Sequence, residues 1–338
     1  MIITKTPFRM SFFGGGTDMP AFFNEHGGAV ISTTFDKYCY VNVRHMPPFH
    51  PYISELVHNK FERVNDIEEI VHPLIRECMR LHDIHEIRLT YEGDLPARTG
   101  LGTSSTFAVG MLNAFCALKG KMMSKRQLAQ EAIHVERDIL KEHGGWQDQV
   151  AAAYGGLNRI DFKDGDFSVH PIVISPERKK ELDDNLLLFY TGMQRFSSEI
   201  QANTFGKPID KIQQLRDMLA LVDEAESMLC NNNTPLREFG YLLDKTWKLK
   251  RGTGEKVSNG SIDELYNIAI NAGALGGKLL GAGGGGFLLF YCEKERQEGL
   301  KRALEKLMIV PFNFETEGTH VLYYAPQSYS PRKEIVLK

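Results

Sequence analysis

The chain has 338 residues, of which 42% are hydrophobic and 25% charged, and its formal net charge is −3. This length predicts two domains, each large enough for its own core, and the composition is that of a soluble globular protein. The negative net charge disfavours a nucleic-acid-binding surface. The chain has no stretch of about 18 uncharged apolar residues, so we expect no membrane-spanning segment. The sequence opens without an apolar secretory signal, so we expect a cytoplasmic protein.

The five cysteines are odd in number and widely spaced, and they form no Cys-x-x-Cys pair. This pattern predicts buried, small hydrophobic side chains in a reducing compartment, without a disulfide framework or a zinc site. Residues 45–60 are rich in proline and histidine. The spacing of His45, His50 and His58 matches no metal-ligand template, so we interpret this stretch as a loop.

Strands and helices alternate in the first half of the chain. The pair Asp36-Lys37 separates two β-rich runs and indicates a hairpin or a strand pair, and Ser124 is a suitable N-cap for a later helix. The predicted elements, in order, are strands over 2–13, 29–35 and 38–44, a helix over 66–82, a strand over 85–91, helices over 106–118 and 125–143, and strands over 157–162 and 167–174.

The pattern becomes rich in helices after a buried strand over 185–192. This change predicts a domain boundary and divides the chain into residues 1–185 and residues 186–338. The predicted elements of the second part are helices over 196–205, 209–231, 235–250 and 261–272, a strand over 288–292, a helix over 293–308, and strands over 311–316 and 320–325.

The segment from Pro96 to Ser105, Pro-Ala-Arg-Thr-Gly-Leu-Gly-Thr-Ser-Ser, follows a strand and opens a long apolar helix. Glycines let the backbone close around an anion, and a helix N-terminus offers free N–H groups and the positive end of a dipole. The hydroxyl groups can cap the helix or reach a phosphate-bound Mg²⁺. Taken alone, the segment fits a phosphate site and a well-capped helix equally well.

Three carboxylates are candidate site residues. Asp18 follows three glycines, where a backbone can lie against a ligand, although a turn with an Asp helix cap explains this stretch better by itself. Glu136 has apolar neighbours at helical spacing and can point inward, where Mg²⁺ would balance its charge. Asp148 stands in the first turn of a helix, which suits the helix dipole and also suits a general base near a substrate hydroxyl.

A third glycine segment, from Gly281 to Gly286, precedes a strand. It formally contains Gly-x-Gly-x-x-Gly, but a dinucleotide site needs the strand first, then the glycines, then a helix. Lys278 is not a P-loop lysine, because Leu279 stands where Ser or Thr is required. Two familiar nucleotide-binding folds are therefore excluded.

These glycine segments carry more information together than any one of them carries alone. They are Thr6-Pro7-Phe8-Arg9 with Gly14-Gly15-Gly16-Thr17-Asp18, then Pro96-x3-Gly100-Leu101-Gly102-Thr103-Ser104, then Lys278-x2-Gly281-Ala282-Gly283-Gly284-Gly285. In this order and at these separations, the chain resembles the GHMP kinase superfamily over essentially its whole length. The resemblance implies an α+β fold of two domains, the N-terminal one ribosomal protein S5 domain 2-like and the C-terminal one ferredoxin-like, with ATP and a sugar in the cleft.

The resemblance also implies roles for single residues. Asp148 would be the catalytic carboxylate, Arg9 the cation beside the transferring phosphoryl group, and Asp18 the anchor of a sugar hydroxyl. Ser104 and Glu136 would hold Mg²⁺. The residues implied in binding ATP are Pro96, Gly100, Leu101, Gly102, Thr103, Ser104, Ser105, Gly283 and Gly284.

Within the superfamily the chain is similar to the sugar-1-kinase branch, which contains heptose 7-phosphate kinases and the kinase domain of fucokinase. Branch features include Gly144-Gly-Trp-Gln-Asp-Gln149 and Tyr190-Thr-Gly192. The branch implies phosphorylation of the anomeric hydroxyl of D-glycero-D-manno-heptose 7-phosphate. A free sugar such as L-fucose is the alternative acceptor, and a non-catalytic sensor of nucleotide and sugar is the alternative from another class.

The substrate pocket departs from the galactokinase type, because Gly15 and Gly16 replace a Glu-His pair and alter the sugar site. A sugar that already carries a phosphate needs a second anion site remote from ATP, for which Arg195, Lys250 and Arg251 are the candidates. The last two also suit the C-terminal dipole of a helix. The expected partner is a small sugar or sugar phosphate. The oligomeric state is not readable from the sequence, and a homodimer is left open.

Overall fold

The computed structural model describes residues 1–97, 99–193, 210–254, 257–281, 283–327 and 329. The strands of these residues form two sheets. They are β1 Ile2–Phe13, β2 Gly28–His45, β3 Ser54–Val57, β4 Phe61–Val64, β5 Ile87–Gly93, β6 Asn158–Lys163, β7 Asp166–Pro171, β8 Leu186–Tyr190, β9 Gly276–Leu279, β10 Phe287–Tyr291, β11 Met308–Val310, β12 Phe314–Glu315 and β13 His320–Tyr324.

The helices cover both sheets. They are α1 Pro20–His26, α2 Pro73–Leu81, α3 Thr103–Leu118, α4 Lys125–Ile133, α5 Gln147–Tyr154, α6 Pro176–Asp184, α7 Asp210–Cys230, α8 Arg237–Gly252, α9 Gly260–Asn271 and α10 Lys294–Ala303. A 3₁₀ turn (Ile67–Glu69) and a π-helix (His134–Ile139) complete the described helical segments. Across these residues, no helix combines the length and the hydrophobicity that crossing a membrane requires.

The larger sheet has nine strands, in the order β13-β1-β2-β5-β3-β4, with β6 and β12 also paired with β2, and β7 with β6. Strands β3 and β5 are parallel, and the other neighbours are antiparallel. Helix α3 packs against β1 and β2, and all its residues except Ser104 are buried. Its almost uniformly apolar sequence is what a helix covered on every side requires.

The smaller sheet has four antiparallel strands in the order β11-β8-β10-β9. Helices α7 and α8 join it to the larger sheet, because both contact β1 and α8 also packs against β9. Phe12 and Phe13 at the end of β1 meet Phe239 of α8 edge-on, each with a ring-centroid distance of 5.2 Å. Such buried aromatic pairs bring the end of β1 and helix α8 together.

The last described strands, β12 and β13, belong to the larger sheet, although the division into 1–185 and 186–338 places them in the second part of the chain. All four strands of the smaller sheet lie between Leu186 and Val310. The chain then returns to the larger sheet, where Tyr324 pairs with Ile2, and β12 pairs with β2. The predicted mixed α+β architecture of two units is confirmed. The pairing between the two ends of the chain could not be predicted, because it produces no local periodicity in the sequence.

The hairpin predicted at Asp36-Lys37 is wrong, because β2 is one continuous strand. Opposite it on β1, Pro7 pairs with Tyr38 and Phe8 with Phe35, so the two intervening residues form a bulge. The Asp36 carboxylate accepts hydrogen bonds from the backbone N and the Nδ2 of Asn313, both at 3.0 Å. Contacts with a distant segment therefore stabilise a bulge where the local pattern indicated a turn.

The helix predicted over 66–82 begins only at Pro73. Proline lacks a backbone N–H, so it is favoured in the first helical turn, where that group has no partner. The residues before it form the 3₁₀ turn, whose N-cap Asp66 accepts a hydrogen bond from the N–H of Glu68 at 2.9 Å. The sequence pattern therefore located the helix but not its start.

The helix predicted over 125–143 starts as expected and then changes type. The Ser124 hydroxyl accepts a hydrogen bond from the N–H of Gln127 at 3.2 Å, which confirms the N-cap. The α-helical geometry ends at Ile133, and the chain continues as the π-helix, which includes Glu136. π-Turns are rare inside helices and often mark functional sites, because the extra residue re-aims the side chains.

The second and third glycine segments are in direct backbone contact. A Cβ atom at Gly100 would lie 2.3 Å from the carbonyl oxygen of Leu280, and one at Gly281 would lie 2.2 Å from the Cα of Gly100. Both glycines also have φ in the left-handed region, at +84° and +79°. Only glycine allows the two loops to approach this closely.

This contact predicts the effect of Gly281→Ala. The new Cβ would collide with Gly100, so we expect a loss of about 1–3 kcal/mol in the free energy of unfolding, measured by urea denaturation. Gly260→Ala is the matched control, because its Cβ would meet nothing within 4 Å and we expect no loss. An unchanged denaturation midpoint for Gly281→Ala would contradict the close approach.

Candidate active site

A cavity of about 640 Å³ lies where the three glycine segments meet. The first segment contributes Gly15 and Gly16, and the third contributes Gly281, Gly283 and Gly285. Charged side chains from separate elements also line it: Arg9 of β1, Asp18 from the loop after β1, Glu136 of the π-helix, Asp148 of α5 and Lys250 of α8. The fold therefore brings together charged residues that are up to about 240 positions apart in the sequence.

Helix α3 directs its N-terminus at the cavity. Its N-cap is Gly102, with φ +73°, and no side chain caps this end. Gly100, Gly102, Thr103, Ser104 and Ser105 line the cavity. An uncapped helix N-terminus next to a cavity is suited to an anion, because N–H groups and the helix dipole both point at it. This arrangement favours the phosphate-site interpretation of the segment over the capped helix.

Three of the residues implied in ATP binding do not line the cavity. Pro96 is exposed, and its carbonyl accepts a hydrogen bond from the Thr99 hydroxyl at 2.8 Å. Leu101 is fully buried in the core beneath the loop. Gly284 donates its N–H to the Val257 carbonyl at 3.1 Å. These three residues shape the loops, whereas their neighbours face the cavity.

Arg9 and Asp148 form an ion pair at the centre of the site. The Arg9 Nε donates to Asp148 Oδ1 at 2.8 Å, and its Nη2 lies 2.7 Å from the same oxygen. Its Nη1 donates to the Gly100 carbonyl at 2.8 Å. The Arg9 side chain is 3% exposed and the Asp148 side chain 24%. One buried guanidinium thus fixes the Asp148 carboxylate relative to the loop over residues 100–105, called the phosphate loop from here on.

Asp18 is buried beside this pair. Its carboxylate accepts hydrogen bonds from the N–H of Gly16 at 2.8 Å and from that of Gln147 at 3.2 Å. Burial raises the pKa of Asp18 above its usual value, and the charge of Asp148 adds to this, whereas the two hydrogen bonds lower it. A Cβ at Gly145 would lie 1.8 Å from Asp18 Oδ2, so a glycine is required next to this carboxylate.

Glu136 has one carboxylate oxygen without a protein partner. Its side chain is buried, and its Oε2 accepts a hydrogen bond from the Gln149 side-chain amide at 2.5 Å. The other oxygen, Oε1, is buried and unpartnered among the described residues, and Glu136 lines the cavity with Ser104. An unpaired buried carboxylate is costly, so this residue fits a cation.

The protein by itself supplies only part of a metal coordination shell. Among residues 1–97, 99–193, 210–254, 257–281, 283–327 and 329, no cluster of three His, Cys, Asp or Glu side chains could hold a metal ion. Mg²⁺ commonly takes one or two protein ligands and completes its shell with phosphate oxygens and water. The carboxylate of Glu136 and the hydroxyl of Ser104 fit such an ion when a nucleotide supplies the other ligands.

The structure separates Lys250 from Arg251, two of the three cations that the sequence had grouped as a distal anion site. Lys250 lines the cavity, and its Nζ donates to the Gly281 carbonyl. Burial and the charge of Arg9 lower the pKa of Lys250 to about 8. Arg251 is the next residue on α8 and faces another side, where it pairs with Asp263 at 2.7 Å. Adjacent helical residues point in different directions, so neighbouring cations do not form one site. Arg195 lies outside the described residues.

One end of the cavity is aromatic, a feature that no sequence motif predicted. Tyr91, Phe107 and His72 line it, with ring centroids 4.8 Å apart between Tyr91 and Phe107 and 5.9 Å apart between His72 and Phe107. Burial lowers the pKa of His72 to about 4, so this ring is neutral near pH 7. The three residues come from separate elements, and no spacing in the sequence connected them.

Comparison with known proteins shows which family the chain is similar to. The profile described as GHMP kinases N terminal domain matches residues 66–156, and that described as GHMP kinases C terminal matches residues 232–310. The D-glycero-alpha-D-manno-heptose 7-phosphate kinase of Campylobacter jejuni is 30% identical over 94% of this chain and 97% of its own. The L-fucokinase/L-fucose-1-P guanylyltransferase of Bacteroides fragilis is 26% identical over 88% of this chain and 35% of its own.

Solved structures show the same fold. The D-glycero-D-manno-heptose 1-phosphate kinase of Bacteroides thetaiotaomicron matches 98% of this chain and 100% of its own, with a TM-score of 0.77 and 24% identity. A sugar kinase of Campylobacter jejuni, described as putative, matches 95% of this chain and 97% of its own, with a TM-score of 0.70 and 26% identity. Together with the full-length relative at 30% identity, these matches show that the chain belongs to the GHMP kinase family.

Proposed function

We propose that this protein is an ATP-dependent sugar kinase that phosphorylates the anomeric hydroxyl of D-glycero-D-manno-heptose 7-phosphate to give the 1,7-bisphosphate. The observation that carries the catalytic part is the ion pair of Arg9 and Asp148 beside the uncapped N-terminus of α3. The acceptor is supported by the relative of 30% identity over nearly the full length of both chains. ATP is the phosphate donor that the family implies.

Phosphoryl transfer needs alignment and charge stabilisation more than covalent help from the protein. The N-terminus of α3 would bind the ATP phosphates, and Arg9 would offset the negative charge that develops on the transferring group. Both contacts of Arg9 fall on Oδ1 of Asp148, so Oδ2 remains to accept the hydroxyl proton. An anomeric hydroxyl is more acidic than an ordinary alcohol, which suits a carboxylate base.

The sugar would lie between Asp18 and Asp148. Asp18 is held by two backbone N–H groups, so its carboxylate has a fixed position from which to bind a second sugar hydroxyl. Gly15 and Gly16 line the same part of the cavity and leave room for the sugar ring. The aromatic end, with Tyr91 and Phe107, offers an apolar surface of the kind that a nucleotide base requires.

Mg²⁺ would be held by Glu136 and Ser104 together with ATP oxygens. When bound, the ion neutralises phosphate charge and orients the β- and γ-phosphates. Gln149 positions the carboxylate through its hydrogen bond to Oε2, and Oε1, which has no partner among the described residues, would be available to hold the ion. The residues present therefore fit the ion that the family implies.

Two alternatives follow from the same comparisons and geometry. A free sugar such as L-fucose is the second candidate acceptor, because a fucokinase is also similar over 88% of this chain. A non-catalytic sensor is less consistent with the site, because ligand binding alone does not require a carboxylate held by an arginine at the phosphate loop. A turnover assay with ATP over free sugars and sugar 7-phosphates separates these functions.

Asp148→Asn tests the proposed base. We expect kcat to fall about 10²–10⁴-fold, because the amide cannot take the hydroxyl proton. The affinity for ATP, measured by calorimetry, should remain within about threefold, because the phosphate loop is unchanged. A kcat close to that of the wild type would remove Asp148 from this role.

Glu136→Gln tests the proposed metal site. We expect weaker binding of Mn²⁺ to the ATP complex, measured by electron paramagnetic resonance, and about 10-fold more Mg²⁺ for half-maximal turnover. Asp138→Asn is the matched control, because Asp138 is an exposed carboxylate on the same π-helix that pairs with His134. Equal metal affinity in Glu136→Gln and the wild type would contradict the assignment.

Arg195→Gln tests the proposed distal phosphate site and the acceptor. We expect KM for heptose 7-phosphate to rise at least 10-fold, because a guanidinium that binds a phosphate would be lost. The KM for the unphosphorylated heptose should change little. An equal effect on both acceptors would exclude Arg195 from binding the 7-phosphate.

A further inference from the structure

Lys250 lies at the phosphate end of the cavity and not at the end remote from ATP. It stands in the last turn of α8, and its Nζ donates to the carbonyl of Gly281. Gly281 is the residue whose backbone touches Gly100 of the phosphate loop. The ammonium group is therefore bound to a residue that itself contacts the loop that would bind the ATP phosphates.

Three basic side chains converge on this point. Arg9 is compensated by Asp148. Lys278 of β9 is 1% exposed and donates to the Phe12 carbonyl at 2.8 Å, and burial together with the charges of Lys250 and Arg9 holds its pKa well below the usual range. Lys250 has a carbonyl as its hydrogen-bond partner, so no carboxylate hydrogen bond within the described residues compensates its charge.

We propose that Lys250 is a catalytic residue that binds the transferring phosphoryl group together with Arg9. The inference rests on the proposed kinase function and replaces the role of Lys250 in binding a distal sugar phosphate. Within the described residues the hydrogen-bond partner of Lys250 is a carbonyl and not a carboxylate. An anionic ligand would therefore give its ammonium group a direct counter-charge, and the γ-phosphoryl group is the anion that belongs at this end of the cavity. A lysine suits this task because its three N–H donors rotate on a flexible stem.

The chemical step remains a single transfer. The bond between the γ-phosphorus and the bridging oxygen of ATP breaks, and the bond to the sugar oxygen forms while the hydroxyl proton passes to Asp148. Negative charge in this transition state is spread over three equatorial oxygens. Lys250 would release the Gly281 carbonyl and donate to one of these oxygens, and Arg9 would interact with another.

The charged groups that face Lys250 determine its response to pH. They are Arg9 of β1, Asp18 from the loop after β1, Asp148 of α5 and Lys278 of β9. Burial and the charge of Arg9 lower the pKa of Lys250 to about 8, against the opposing charges of the two carboxylates. The protonated form is the active one, so kcat/KM of the free enzyme should be full below pH 8 and should fall as the pH rises through 8.

The experiment compares three variants with the wild type, using whichever acceptor the wild type phosphorylates. In Lys250→Met we expect kcat to fall about 10²-fold, with similar KM values for phosphorylated and free sugars. In Lys250→Arg the fall of kcat/KM above pH 8 should move to higher pH, because guanidinium stays protonated there. Lys248 is an exposed cation on the same helix and pairs with Asp244. Lys248→Met should therefore behave as the wild type.

Binding of ADP with aluminium fluoride provides a readout that does not need the sugar. This planar mimic of the transferring group should bind about 10²-fold more weakly to Lys250→Met than to the wild type, whereas ADP alone should bind equally. A wild type that phosphorylates no sugar would contradict the proposed function but would leave this comparison intact. Equal affinity for the mimic, an alkaline limb that Lys250→Arg leaves in place, or a rise in KM for sugar phosphates alone would overturn the role of Lys250.

Discussion

The guanidinium of Arg9 connects the parts of the site that must not move relative to one another. It binds Asp148 of α5 through two nitrogens and the Gly100 carbonyl of the phosphate loop through the third. A planar group with fixed donor directions can hold these two partners at a constant separation. The proposed in-line transfer would require that constancy, because Asp148 would have to meet the acceptor hydroxyl while the loop holds the phosphate donor.

Backbone contacts between glycines place the second unit against the first. The close approach of Gly100 and Gly281 leaves no room for side chains, and the rings of Phe12 and Phe13 pack on Phe239 nearby. This packing positions helix α8 so that Lys250 lines the cavity. The charge of the site is therefore assembled from both units, although the chain as a whole has a net charge of −3.

Much of the fold could be predicted because most elements have a local cause. The apolar run of α3 and the capping box at the start of α4 both depend only on residues that are close together in the sequence. The continuous strand β2 could not be predicted, because Asp36 is held in its bulge by Asn313. The pairing of β13 with β1 could not be predicted either, because it too joins residues that are far apart in the sequence. Pairing across hundreds of residues depends on the packed sheet and not on local periodicity.

The sequence by itself determined the family, the two-unit architecture and the chemical identity of the charged residues. Glycine spacing and residue type suffice there, because they report what the backbone can adopt and what a side chain can bind. Only the tertiary structure decided that Oε1 of Glu136 has no protein partner, and that Lys250 faces the cavity while Arg251 pairs with Asp263 outside it. The direction of a long side chain is set by the elements packed around it, and those contacts exist only in the folded chain.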